Sequence, residues 1–188
     1  ESTTLGCDII NQAIKCHPQR VEVIQAMSQK LILALFNVLA KKSSIKDQKP
    51  ILKCIENVLQ QTSQEMAINL FKNVIYQLIQ HQKIIETPEG QFRSIALLNL
   101  SQLFIKALNE ESIETYLQTI VPLLGCGNHT VVKATLKTLI EVVTVFGNYM
   151  YHKHLNDVQT WFVKNTYNDR VYERCILEGY LVYLTILK

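Results

Sequence analysis

The side chains equipped for reactive chemistry are a histidine pair and a thiol–imidazole neighbour. His152-x-His154, followed by Asp157, has metal-like residue types. Two imidazoles at i and i+2 can share a ligand geometry in a loop or strand, but not on one helical face. The stretch follows Tyr149-Met-Tyr151 and reads as a solvated turn, so no metal ligand set is assigned. Cys16-His17 sits at a helix end before Pro18 with no third group to orient the imidazole, which reads as a half-buried structural thiol. No GxSxG, P-loop, GxGxxG or HExxH motif occurs, and only 6 glycines exist to build a phosphate cradle. Glu110, Glu111 and Glu114 form an acidic helix start that dipole complementarity explains without catalysis. The expectation is no catalytic residue, no metal and no cofactor; the chain does not read as an enzyme.

Binding chemistry is better represented. Lys41, Lys42, Lys46, Lys49 and Lys53 fall within thirteen positions against a single acid, Asp47, a density that can neutralise several phosphates. They lie on an expected interhelix loop without interleaved aromatics, which favours a solvated loop over a nucleic-acid patch. Nine of the fifteen aromatic residues lie between Phe146 and Tyr183. Trp161 and Phe162 fit a core stripe. Tyr149, Tyr151 and Tyr167 fall near expected helix ends, where a ring with a polar tip suits a binding hot spot. Near the C-terminus, Tyr180, Leu181, Tyr183 and Leu184 belong to a helix that is apolar on every side. Together these residues form the expected partner-binding surface.

The elements that must hold such residues are helical. Of 188 residues 48% are apolar, while Gly (6) and Pro (4) are scarce, which disfavours disorder and a turn-rich all-β fold. Nineteen Lys and Arg against sixteen Asp and Glu leave a charge of +3, a weak footprint for nucleic acid or a membrane surface. The longest apolar run, Leu31 to Phe36, is far below the roughly 20 residues of a spanning helix. Apolar residues recur at steps of three and four, as in Ala67, Leu70, Val74 and Leu78, or Phe92, Ala96, Leu100 and Leu103. Thr87-Pro88-Glu89 carries helix-start chemistry, and Ser63, Asn109, Asn128 and Asp169 each precede an apolar stripe they could cap. The spacing predicts nine helices, over 4–16, 19–40, 47–61, 64–82, 88–108, 110–124, 129–147, 153–165 and 169–187, joined by short connections that make neighbours antiparallel.

One segment resembles a known repeat. Ile120-Val-Pro-Leu-Leu-Gly-Cys-Gly-Asn-His-Thr-Val131-Val132-Lys-Ala134-Thr-Leu-Lys-Thr-Leu139 is similar to a HEAT-type unit, in which a helix ends on Pro-Leu-Leu and a second opens Val-Arg-x-x-Ala. Val132 stands where that family has Arg. Thirty-nine residues earlier Phe92-Arg93-Ser94-Ile95-Ala96 follows the same template and does supply the Arg; Val171 falls forty residues after Val131. A period near 39–40 suits HEAT and armadillo repeats, of about 40–47 residues. The resemblance implies an all-α fold of antiparallel helical hairpins stacked as a short right-handed α-solenoid. Armadillo proteins hold peptides with Asn side chains, but Asn37 and Asn57 lie half a period apart, so that role is not carried over.

The expected organisation is one helical-repeat domain over 1–188, cut from a longer protein. The expected function is a non-catalytic protein–protein interaction scaffold. Its partner would be a helix, an extended peptide or the rest of its own chain; a nucleic-acid-associated module is the alternative. Five cysteines without a CxxC pair suit reduced thiols and an intracellular site, cytoplasmic or nuclear.

Overall fold

A computed structural model describes residues 2–16, 21–39, 41, 45–165, 182, 184, 185 and 187. Among these the chain is helical with no strand. Seven α-helices follow one another: α1 Ser2–Cys16, α2 Val21–Leu39, α3 Ile45–Leu59, α4 Gln64–Gln82, α5 Pro88–Gln102, α6 Glu110–Ile120 and α7 His129–Asn165. Short 3-10 turns occupy Ile105–Ala107 and Val121–Gly125. The all-α expectation is met. The ninth expected helix, 169–187, lies outside the described residues apart from isolated positions.

Helix starts follow side-chain chemistry. Thr87 Oγ1 accepts the Gly90 N–H at 3.1 Å ahead of Pro88, and Asn109 Oδ1 accepts the Ser112 N–H at 2.9 Å. Asn128 Oδ1 accepts from Thr130 and Val131 at 2.9 and 3.2 Å, and Ser63 Oγ from Met66 at 3.3 Å. Each satisfies a backbone donor that a helix start leaves without an intrahelical partner. Asp169, also expected as a cap, is outside the described residues.

Helix ends depart from the sequence reading for local reasons. The expected 88–108 helix stops at Gln102, where bonding tightens to i−3: Leu103 N–H meets the Leu100 carbonyl at 3.1 Å and Phe104 N–H that of Ser101 at 3.0 Å. The expected 110–124 helix stops at Ile120, because Pro122 has no N–H to continue the α pattern. The break expected after residue 147 falls at Phe146 (φ −117°, ψ 33°), beside Gly147, where two helical segments meet at a kink. The second resumes at once, without the loop expected over 148–152, and both are counted within α7.

The chain packs as two compact units, Glu1–Asn73 and Val74–Lys188. In the first, α3 lies against both α1 and α2. Its Ile51, Cys54, Ile55 and Val58 are fully buried, together with Ile32, Leu35 and Leu39 of α2. In the second, α5 and α6 pack on α7. Ala96, Leu97, Leu98 and Leu100 are all buried, so α5 is apolar nearly all round, as its wide stripe implies. Gly90 is needed at the start of α5: a Cβ there would stand 2.1 Å from the Ile84 carbonyl oxygen. The buried Tyr116 hydroxyl is hydrogen-bonded to Ser101 Oγ, which also donates to the Leu98 carbonyl at 2.7 Å. Burial of a phenol is thereby compatible with a dry core, and the same burial pushes the Tyr116 pKa up.

Candidate functional site

Two polar constellations stand out in the second unit. The first ties α6 to the distal half of α7. The Tyr149 hydroxyl donates to Glu114 Oε2, and His154 Nε2 lies 3.0 Å from the same oxygen. Gln118 Nε2 donates to Glu114 Oε1 at 3.3 Å, and the Tyr149 and His154 rings stand 5.8 Å apart. The Tyr149 and His154 bonds hold the Glu114 carboxyl below its ordinary range. The bond to Glu114 pushes the Tyr149 phenol up to about 12. A carboxylate serving this many donors is a clamp between helices rather than a base waiting for a proton.

These placements revise the sequence reading of His152 and His154. Both lie within α7, not in a turn, and helical periodicity parts them: His152 is exposed, while the His154 side chain is only 13% exposed. Glu114 does more than complement a dipole. Its partners are 35 and 40 residues away, so no local motif reveals them. Among the described residues no three His, Cys, Asp or Glu side chains gather as a metal site, and no helix is long and apolar enough to cross a membrane.

The remaining expected site residues are dispersed. Tyr151 is 47% exposed, with its ring edge-on to His152, and Leu184 is 59% exposed. Tyr167, Tyr180, Leu181 and Tyr183 lie outside the described residues, as does Lys42. Lys41 is exposed. Lys46, Lys49 and Lys53 occupy α3 rather than a loop, because α3 starts at Ile45 and runs through Pro50. Their spacing of three and four puts them on one face. Lys53 is paired with Glu56 at 2.8 Å.

The second constellation is a cleft of about 510 Å3 between the α4–α5 turn and the turn leading into α7. Its lining includes three primary amides, Gln82, Gln91 and Asn128. Gln82 Nε2 donates to the Thr119 carbonyl at 2.5 Å, and Asn128 Nδ2 donates to Gln91 Oε1 at 2.7 Å. Asn128 thus caps α7 with its oxygen and grips α5 with its nitrogen. Gln91 Nε2 has only a 3.5 Å contact to the Glu86 carbonyl, at the limit of bonding. Ile85, Pro122 and Leu123 supply apolar wall, and Glu86 is the charged lining residue. Sequence reading found Asn128 as a cap but missed Gln82, Gln91 and Glu86. The available signal was a pair of polar residues 37 positions apart, Gln91 and Asn128, close to the repeat period.

No protein-family model, curated protein or solved structure matches this chain.

Proposed function

We propose that this chain is a non-catalytic scaffold segment: helical hairpins of HEAT or armadillo type, stacked as a short right-handed α-solenoid, that hold a protein partner within a larger assembly. The observation that carries the reading is the register of its long-range polar bonds. In the first unit Asn57 bonds Asn11 and Ser28 bonds Met66; in the second Gln82 bonds Thr119, Gln91 bonds Asn128, Gln102 bonds Thr138 and Glu114 bonds His154. Five of the six pairs link a helix, or the turn at its end, with the next helix but one, and Glu114–His154 links α6 with the part of α7 beyond the Phe146 kink; the separations run from 36 to 46 residues. A hairpin too apolar to stand alone, stacked on the hairpins beside it, would produce this register. Exposed Tyr151, Val145 and Leu184 offer apolar anchors of the kind that binding surfaces use. Cys7, Cys16, Cys54 and Cys126 are free thiols, which suits a reducing compartment, cytoplasm or nucleus.

The test is selection from a phage-displayed library of random peptides on the folded chain. Enrichment of a sequence family that ignores the heat-unfolded chain is the expected result. A saturable turnover of a hydrolase or transferase substrate, abolished by one polar substitution, would overturn the reading. The alternative, a nucleic-acid-associated module, gains from Lys46, Lys49 and Lys53 sharing one face of α3. It predicts duplex or single-strand binding whose salt slope flattens when Lys41, Lys42 and Lys46 become Gln; no binding at low salt removes it.

A further inference from the structure

We propose that the cleft between the α4–α5 turn and the start of α7 is a docking site for an extended peptide segment bearing lysine or arginine. The inference rests on the scaffold reading and adds to it a place and a chemistry. Three observations carry it. The volume, about 510 Å3, is that of a ligand pocket rather than a packing gap. The lining includes amides whose hydrogen-bonding capacity is partly unspent. Gln82 uses Nε2 on the Thr119 carbonyl, leaving Oε1 with no partner among the described residues. Gln91 uses Oε1 on Asn128 and holds Nε2 only loosely. The lining thus offers one acceptor, Gln82 Oε1, and one donor, Gln91 Nε2, the two functions that the N–H and C=O of an extended peptide require. Finally, Glu86 is exposed, is the charged residue of the lining, and carries no ion pair among the described residues. On a chain of net charge +3, a carboxylate at a cleft mouth selects a cation there instead of attracting it everywhere.

The glycines at the rim make the site testable without damaging the fold. A Cβ on Gly125 or Gly127 would meet nothing within 4 Å, and neither has a positive φ. Gly127→Trp therefore sets its Cβ in open space at the cleft, and unchanged helicity and Tm are the check that the rest of the ring disturbs nothing.

The experiment uses the whole chain and a fluorescein-labelled nonapeptide of alternating valine and lysine, followed by anisotropy. Two comparison peptides accompany it: the valine–glutamate counterpart and a backbone N-methylated copy. The expected result is saturable binding of the valine–lysine peptide. Gly127→Trp and Glu86→Gln each weaken it at least tenfold while helicity and Tm stay unchanged. The N-methylated and glutamate peptides fail to bind. Equal binding by wild type and Gly127→Trp overturns the inference, as does equal binding of the two charge types or no binding at millimolar peptide. The scaffold reading is separable: library peptides that enrich but are insensitive to Gly127→Trp sink only the cleft, whereas a library that yields nothing sinks the scaffold itself.

Discussion

Replacing Gly90 by alanine should destabilise this protein, although the same change at most helical glycines stabilises. Gly90 is the third residue of α5, and its α-carbon faces the backbone of the α4–α5 turn. An added Cβ would lie 2.1 Å from the Ile84 carbonyl oxygen and 2.6 Å from its carbon, against a floor of 3.0 Å for real Cβ contacts. The obstacle is backbone, so no side-chain rotation relieves it, and turn or helix must retreat by roughly an ångström. Overpacking of this kind costs ~1–3 kcal/mol, while alanine's better helix propensity returns at most ~1 kcal/mol and less in the first turn. The net expectation is a loss of about 2 kcal/mol. For a protein of this size that lowers Tm by ~4–8 °C. Gly6→Ala is the matched control, since a Cβ there meets nothing within 4 Å of the interior of α1. It should gain ~0.5–1 kcal/mol. Calorimetry on the two variants reads both signs, and because the sites lie in different units the transitions need not be treated as one. A Gly90→Ala protein as stable as wild type would refute the claim that this glycine is held by close backbone approach.

Further expectations concern titration and reactivity. Tyr149 should ionise near pH 12 by ultraviolet titration, and Glu114→Gln should return it toward the ordinary phenol range. Because the folded value is raised, the contribution of that bond to stability is present below pH 10 and is lost as pH climbs through 12. His81 is held below 6.5, chiefly by burial and then by the Arg93 charge. Its folded form disfavours the proton, so stability is complete above pH 6.5 and falls as the pH drops through the lowered value; His81→Leu should flatten that dependence in a urea series taken from pH 7.5 to 5. Cys7 and Cys54 are buried, with thiol pKa values raised mainly by burial, Cys54 to about 12. Iodoacetamide mapping should therefore label Cys16 before either of them, and early labelling of Cys54 would contradict the packing of α3 on α1.

How much of this could be read in advance depended on distance along the chain. Caps at Thr87, Asn109, Asn128 and Ser63 were legible because the donor and acceptor lie within three residues. The wide stripe on α5 foretold burial on both sides. Helix ends were misplaced where the preference was marginal: Pro122 tightened one terminus, and the break expected after 147 is a kink at Phe146 with no loop behind it. The candidate sites were least legible. Glu114 looked like dipole chemistry because its real partners, Tyr149 and His154, are 35 and 40 residues away. Gln82 and Gln91 look like any surface amide until the turns they join stand side by side.

The register of the long-range bonds also bears on how the chain folds. Where ties such as Gln102 to Thr138 and Gln91 to Asn128 reach only 36 and 37 residues ahead, no part must wait for a distant terminus before it can close. Loop-closure entropy grows only with the logarithm of the span, so each such closure costs nearly the same. Low contact order of this kind favours rapid assembly. Held between two points and stretched, the second unit carries the load through overlapping spans, 82–119, 91–128 and 102–138, so these ties should fail together rather than one at a time.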